Sequence, residues 1–403
     1  NIVTGNLDVA GGTMFSKPAL DVLAPDARKK PSKTPRKGFA DKFSRVRNLP
    51  NFVGEFPVAT LAEEITTSGH GQVRALVTNA GNPVLSTPNG KQLDEALGDL
   101  EFMVSIDIYR NETTRHADII LPPLSTLERS QYDLAFQTLA IRNGARFSQP
   151  VFKAGKEQRS DTKIFLELAW RMQSGTWFTR ATARLRNKIL QGLGSDWIIN
   201  KKLKQGPYFT SHGLDLKKLK QSPHGIDLGP LQPCLPGRLF SSDKTINLAP
   251  EEFVSDLQRL KENLPSASHA TDLDLQLIGR RDPRSNNSWL HNSHRLVKGK
   301  KRCLALVHPL DAESRNLQDG DLALVSSRVG TVRIPVALSE DMMPGVISIP
   351  HGWGHHIEGI ELGIARQHAG VNTNILTDDY FLDSVSANAA LNGVPVSLAK
   401  APS

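Results

Sequence analysis

The chain has 403 residues, 39% of them apolar, with a formal net charge of +8. That is room for two or three domains of roughly 100–200 residues each, and no apolar run approaches the ~20 residues of a membrane-spanning helix, so a soluble protein without membrane insertion is expected. The positive charge raises nucleic-acid binding, but much of the excess sits in residues 28–38 and 200–220, and aromatics are only 6%; stacking platforms for single strands are scarce, so an anionic ligand or solvated loops are the favoured reading.

The sequence begins at Asn1 with no initiating Met, basic n-region or apolar h-region ahead of "NIVTGNLDVAGGTMF". This reads as a start in mid-protein, with any targeting signal upstream. Residues 1–57, with two Gly clusters, a basic Pro-containing run and "NLPNFVGEFP", predict mostly loop and short helix. From Val58 the pattern changes: "VATLAEEITTSG" has helical spacing with Gly69 as its stop. Residues 73–78 predict a short buried strand, 91–100 an amphipathic helix, and 102–109 and 117–122 two more strands. Strand, helix and strand in close succession suggest a parallel βαβ unit. Residues 161–172 and 181–193 predict helices, and the Pro- and Gly-punctuated residues 200–268 a loop-rich connection. Beyond residue 270, "RCLALVHP", "DLALVSSRVGTVRIPVAL", "GVISIPHG" and "GVPVSL" are short β-rich runs, the second a hairpin through Ser327 to Gly330. They predict a barrel or sandwich starting at a boundary near 268–275. The expected plan is thus a loop-rich 1–57, an α/β domain over 58–199, a connection over 200–268 and a β-rich domain over 269–403.

The first predicted strand runs into "NAGNP" (79–83). A turn with Gly81 puts backbone N–H groups where no Cβ obstructs a ligand, the following helix adds its positive end, and open α/β sheets bind ligands beyond the carboxyl ends of their strands. Asp107, near the end of the next strand, is placed like an acidic residue that accepts from a ribose or a base. A plain turn with a solvated Asp107 competes with this, since neither GxGxxG nor GxxxxGK[ST] is present. Just beyond, Glu112, Thr113 and Thr114 offer donors and acceptors, or equally cap a helix. In "GRRDPRSNNSWLHN" (279–292) the arginine forks suit phosphate and the Asn amides suit base or pterin edges, with a solvated loop as the alternative. In "PHGWGHH" (350–356), HxxxH spacing suggests zinc, but Pro350, Gly352 and Gly354 oppose a helix; a glycine-rich loop bringing backbone and imidazole donors to a ligand fits better. Asn372, Asn374, Thr377 and Asp378 add an amide-rich stretch. Cys234 and Cys303 lie far apart and read as separate reduced thiols; an iron–sulfur cluster needs about four such ligands. No Ser-His-Asp order, carboxylate pair or reactive cysteine stands out, so no catalytic or metal-ligating residue is assigned.

Taken in order, these stretches resemble the C-terminal half of the molybdopterin (dimethyl-sulfoxide-reductase-type) oxidoreductases. "GNLDVAGGTMF" looks like that family's GN-x-D-x-x-GG segment, and "NAGNPVLSTPN" with "VSIDIYRNETTRHADIILPPLSTLE" like its α/β domain. The region from "GRRDPRSNNSWLHN" through "MMPGVISIPHGWGH" to "NTNILTDDYFLDSVSANAALNGVPV" is similar to its dinucleotide-binding barrel. The resemblance implies an α/β fold class: a Rossmann-like parallel-sheet dinucleotide-binding domain followed by a double-psi β-barrel. It implies bis-molybdopterin guanine dinucleotide carrying molybdenum or tungsten, with Asn79, Gly81, Asn82, Pro83, Asp107, Glu112 and Thr113 on the nucleotide side. Arg280, Asn287, Ser288, His291, Asn292, His351, Gly352, Trp353, Gly354, His355, Asn372 and Asn374 are implied on the barrel side.

Two departures from the family pattern set limits. The N-terminal portion, with the 4Fe-4S cysteines and the protein ligand to the metal, is absent from this sequence. After Glu128, "RSQYDLAFQTLAIRNGARF" stands where many formate and nitrate enzymes carry a Gly- and Asn-rich stretch, so neither substrate transfers. The expectation is a cytoplasmic oxidoreductase part for two-electron or oxygen-atom transfer on a small substrate, inactive alone, whose partners are the N-terminal portion and an electron-transfer protein and not nucleic acid. A split-enzyme subunit or pterin-nucleotide carrier without catalysis of its own is the alternative.

Overall fold

The structure, a computed structural model, describes residues 1–21, 39–239, 241, 243–262, 275–383 and 385–402. The basic run at 28–38 and nearly all of the boundary expected at 268–275 lie outside them. The chain divides into two compact units, one of Asn1–Pro35 with Pro122–Leu248, the other of Arg36–Leu121 with Ala249–Ser403. The βαβ stretch therefore shares a unit with the C-terminal β-rich region.

That unit opens with an antiparallel pair, β1 (Phe39–Phe43) and β2 (Pro50–Phe52), where loop and short helix are expected. Its glue is polar: Asn51 Oδ1 accepts from the backbone N–H of Asp41 and Lys42, each at 3.1 Å, so no apolar alternation betrays it. After α1 (Leu61–Thr66), a parallel sheet runs in the order β3 (Ala75–Asn79), β4 (Phe102–Ile106), β5 (Ile119–Ile120). The central β4 is buried from Met103 to Ile106, as a strand covered on both faces must be. The crossover carries α2 (Pro83–Ser86) and α3 (Gly90–Leu97). Leu93, Ala96 and Leu97 pack with Ile65, Val84 and Met103 into one core.

In the other unit β6 (Gln131–Tyr132) pairs with β8 (Phe147–Ser148) and β7 (Asn143–Ala145) with β9 (Ile226–Gly229). Two helices are capped by hydroxyls that accept backbone N–H groups: α4 (Asp161–Arg171) by Ser160 and α5 (Trp177–Leu203) by Thr176. The latter reaches well past the predicted 181–193, with Gly194 at φ 71° marking a kink. The segment read as loop-rich from residue 200 carries α6 (Phe209–His212), α7 (Leu216–Lys220) and β9. Elements of four or five residues are too short to show a period, yet Leu203, Leu214, Leu219 and Leu228 build this unit's core with Phe147. The same stretch expected to be loop-rich also carries the twelve-residue helix α8 (Glu251–Glu262), long enough for a helical period, which belongs to the unit that holds the β3–β5 sheet.

There the β-rich region closes into a barrel, resolving the barrel-or-sandwich question. Its strands are β10 (Leu275–Arg280), β11 (Ala305–Val307), β12 (Leu322–Ser326), β13 (Thr331–Leu338), β14 (Val346–Pro350) and β15 (Val394–Lys400), in the closed order β10-β14-β11-β13-β12-β15. Two of its pairs, β10 with β14 and β11 with β13, are parallel. Closure removes exposed edges, and alternate residues such as Ala323, Val325, Val332, Ile334, Val336, Ile347 and Ile349 fill the interior. The β12–β13 hairpin turns at Ser327–Gly330, whose N–H and C=O meet at 2.9 Å. Short helices α9 (His294–Val297), α10 (Pro309–Glu313) and α11 (Gly363–Gln367) decorate the connections. Among the described residues no helix is long and apolar enough to cross a membrane.

Candidate functional site

The chain leaving β10 makes a polar loop that, with the end of β14, lines an open cleft of about 680 Å³. Its walls are Arg281, Asp282, Pro283, Ser285, Asn286, Asn287, Leu290 and His351, a volume within the roughly 300–1,000 Å³ of small-molecule sites. Asn286 and Asn287 both take left-handed backbone, φ 41° and 57°, which asparagine tolerates better than most residues. The loop can fold so tightly because residue 352 is glycine: a Cβ there, at φ +92°, would lie 1.9 Å from the Asn287 carbonyl oxygen. Arg281 Nη1 donates to Asn287 Oδ1, and His351 Nε2 is 3.2 Å from the same atom. Burial, helped by the Arg281 guanidinium, pushes the His351 pKa down to about 4. The cleft therefore presents guanidinium, amide and hydroxyl groups, a neutral imidazole and the Asp282 carboxylate, the last paired with Arg302 at 2.9 Å.

Behind it runs a buried polar network. Ser285 Oγ is 2.8 Å from His291 Nε2, His291 Nδ1 is 2.9 Å from His355 Nε2, and His355 Nδ1 is 2.8 Å from Glu112 Oε1. Glu112 Oε2 accepts from Asn82 Nδ2 at 2.7 Å, while Asn82 Oδ1 accepts from the Thr113 hydroxyl at 2.7 Å. Asn82 Nδ2 also reaches Ser288 Oγ at 3.4 Å. Trp353 stacks on His291 with ring centroids 3.9 Å apart, and its buried Nε1 has no partner among the described residues. Burial, then the neighbouring His355 and Arg302, holds the His291 pKa down to about 3.

The residues singled out from sequence divide accordingly. Asn287 and His351 face the cleft, and Gly352 shapes it. Asn79 is exposed and Gly81 and Pro83 partly so. The left-handed residue of that turn is Ala80, φ 52°, not Gly81, whose added Cβ would meet nothing closer than 3.9 Å; the protein itself does not require glycine there. The helix directly after the turn is only the four-residue α2, too short to supply much of a dipole. Asp107 is neither solvated nor open: Oδ1 accepts from the backbone N–H of Ile108 at 2.6 Å and of Tyr109 at 3.2 Å, and Oδ2 from Asn111 at 3.2 Å. Its burial raises the pKa, and those bonds oppose the rise.

Several others are spent on the protein. Arg280 turns to the barrel, donating to the carbonyls of Leu304 at 3.0 Å and Ser348 at 3.2 Å, and it is Arg281 that meets the cleft. Asn292 Oδ1 caps α11, accepting from Ile364 and Ala365. Asn372 Nδ2 donates to Val84 O at 2.9 Å and Asn374 Nδ2 to Leu85 O at 2.6 Å, binding the stretch before β15 to α2. The Cβ of alanine at Gly354 would press within 2.8 Å of Asn372 Cβ. Arg281, Ser285 and Asn286 had no distinguishing signal beyond membership of a polar loop. Cys234 and Cys303 are free thiols. Among the described residues no group of three or more His, Cys, Asp or Glu side chains could hold a metal ion.

Comparison with known proteins gives two family matches: "Molybdopterin oxidoreductase" over residues 10–171 and "Molydopterin dinucleotide binding domain" over residues 275–395. The alpha subunit of the F420-dependent formate dehydrogenase of Methanocaldococcus jannaschii is 27% identical over 329 residues, covering 79% of this chain and 42% of that protein. Dimethyl sulfoxide/trimethylamine N-oxide reductase of Cereibacter sphaeroides is 22% identical, covering 76% and 39%. The molybdopterin-containing subunit of Salmonella typhimurium thiosulfate reductase is 21% identical, covering 88% and 49%. The chain thus spans less than half the length of these curated relatives. Among solved structures, acetylene hydratase from Pelobacter acetylenicus superposes with a TM-score of 0.61 at 18% identity, covering 85% of this chain and 46% of that one. The names of these relatives cover dehydrogenation, reduction and hydration, so likeness alone selects no reaction.

Proposed function

The chain belongs to the molybdopterin oxidoreductase family as a C-terminal portion, and from that premise we propose that it holds bis-molybdopterin guanine dinucleotide for two-electron or oxygen-atom transfer on a small substrate. In this reading the β3–β5 sheet is a Rossmann-like nucleotide layer and the barrel is of the double-psi type. The observation that carries it is the 3.4 Å approach of buried Asn82, in the turn after β3, to buried Ser288, in the cleft loop: it sets the exposed Asn79–Ala80 of the turn and the exposed Asn286–Asn287 of the loop near one another, within reach of one elongated ligand.

The residues present fit such a group. A pterin has N–H donors and carbonyl and ring-nitrogen acceptors, and the cleft matches them with Ser285, Asn286, Asn287 and a neutral His351. The Arg281 guanidinium suits the anionic charge of the dinucleotide. The open side of Gly81 lets a ligand approach the backbone of the β3 turn. When bound, the metal and its pterins supply the redox chemistry. This chain's part is to orient the cofactor and set the electrostatics around it.

We assign the cluster, the protein ligand to molybdenum or tungsten and the entry of electrons to the N-terminal portion and a separate electron-transfer partner, in the cytoplasm. The isolated chain is then inactive. Metal analysis by mass spectrometry and nucleotide analysis after acid hydrolysis test this, on chain purified from a host that makes the cofactor, with and without the N-terminal portion co-expressed. Guanosine monophosphate in the purified chain, with stoichiometric metal only when both portions are present, is the expected result. Neither component in either preparation overturns the reading; nucleotide without metal in both favours a carrier.

A further inference from the structure

We propose that Ser285, His291, His355 and Glu112 form a proton relay that carries a proton between the cleft and the interior of this unit. The four groups stand in single file at 2.8, 2.9 and 2.8 Å. Ser285 is 2% exposed and the other three not at all, and of the four Ser285 alone lines the cleft. Nothing in the cofactor reading uses Ser285 in this way, and the relay is a property of the chain without any ligand.

Its proton positions follow from one donor that cannot reverse. The backbone N–H of Val84 donates to Thr113 Oγ1 at 3.1 Å, and the Thr113 hydroxyl proton goes to Asn82 Oδ1. Asn82 Nδ2 is left to donate to Glu112 Oε2. The opposite amide orientation would set Oδ1 against the carboxylate and leave the Thr113 proton without an acceptor. With Glu112 as the carboxylate both its oxygens accept, and His355 carries its proton on Nδ1. With both rings neutral, His355 Nε2 accepts from Nδ1–H of His291, and His291 Nε2 accepts from the Ser285 hydroxyl. Ser285 thus shows only lone pairs to the cleft.

An acidic O–H or N–H in the cleft, from water or a heterocycle, can reverse the file. Ser285 Oγ takes that proton as its own passes to His291 Nε2, and the Nδ1 proton of His291 passes to His355 Nε2. His355 becomes an imidazolium against the Glu112 carboxylate, and the donor is left one unit more negative. At Ser285 and at His291 one bond to hydrogen forms as another breaks, and no heavy atom moves. His291 passes the proton on because charge there is disfavoured by burial and by Arg302. Arg302 is itself paired with Asp282 at 2.9 Å, and the uncharged Trp353 covers the His291 ring.

Nitrogen-15 NMR of the full chain, labelled at histidine and free of cofactor, tests the relay through long-range couplings, with signals assigned by His291→Gln and His355→Gln. In the wild type both rings should carry their proton on Nδ1. In Glu112→Gln the new carbonyl stays on the Asn82 donor and the new NH₂ faces His355, so both rings should switch to Nε2–H. In Ser285→Ala, which removes the group at the cleft end of the file, both ring N–H protons should exchange with solvent more slowly than in wild type. An Nε2–H ring in the wild type, a folded Glu112→Gln chain with no switch, or unchanged exchange in Ser285→Ala would each overturn the proposal. Failure here leaves the cofactor reading standing, and cofactor loss leaves the tautomers unchanged.

Discussion

His355 Nδ1 lies 2.8 Å from Glu112 Oε1, two fully buried groups 243 positions apart in the chain. The contact ties the glycine loop after β14 to the segment after β4. Removing the carboxylate leaves an imidazole N–H without its acceptor and the Asn82 amide with only its 3.4 Å contact to Ser288. We expect Glu112→Ala to cost about 1–3 kcal/mol per group left short, read from urea unfolding, and Glu112→Gln far less. Equal midpoints for Glu112→Ala and wild type would show that the pair does not hold these segments together.

Acid should weaken this fold through His291. In the folded chain its pKa is about 3, against roughly 6.5 when unfolded, so between those values the unfolded chain binds a proton that the folded chain refuses. Stability is then complete above about pH 6.5 and falls as pH drops towards 3, by at most ~1.4 kcal/mol per pH unit for this group. His351, held down to about 4, acts in the same sense. Urea midpoints at pH 7.5 and 4.5 should differ, and His291→Gln should shrink the difference; a gap unchanged by that substitution assigns the effect elsewhere.

Two glycines should behave oppositely. Gly352→Ala forces a Cβ to 1.9 Å from Asn287 O at φ +92°, so we expect a loss of several kcal/mol or no folded protein. Gly81→Ala meets nothing within 3.9 Å and should stay within about 0.5 kcal/mol of wild type. If a nucleotide rests on that turn, Gly81→Ala should nevertheless retain less guanosine monophosphate. Unchanged stability and unchanged retention would remove the turn from the site.

Asn372→Ala deletes the bond to Val84 O and the one accepted from Asn374 N, and should cost about 1–3 kcal/mol. Asn372→Asp, which sets a carboxylate against that carbonyl, should cost more. Thermal unfolding of both variants checks the order, and the reverse order would place Asn372 Nδ2 on something other than Val84.

Much of the fold is legible because its pattern is apolar. β4 reads as a covered strand from "FMVSI", and β12 and β13 alternate around a Ser–Gly turn. β1 and β2 are not legible, since Asn51 and not a hydrophobic face holds them. Nor is it legible that the β3–β5 sheet shares a unit with the barrel, because what joins them is a set of amide and imidazole bonds across roughly two hundred to three hundred residues. The site was legible as chemistry and not as orientation. Arg280 and Arg281 are neighbours where β10 ends and face opposite ways, so composition marks the pair and only the fold tells which meets the cleft. Asn372, Asn374 and Asn292 look like ligand amides in sequence, yet each satisfies a backbone group.

The most direct measurement is pterin retention. Wild type and Arg281→Ala/Asn287→Gly, exposed positions at which the glycine keeps the left-handed backbone of residue 287, are purified from a host that makes the cofactor, with the N-terminal portion co-expressed, and the pterin released by acid oxidation is quantified by fluorescence. The cleft as described predicts pterin with wild type and at least about tenfold less with the double variant, the ~1.4 kcal/mol or more that lost charged and amide contacts should cost. Equal retention by both, or none by wild type, would contradict it.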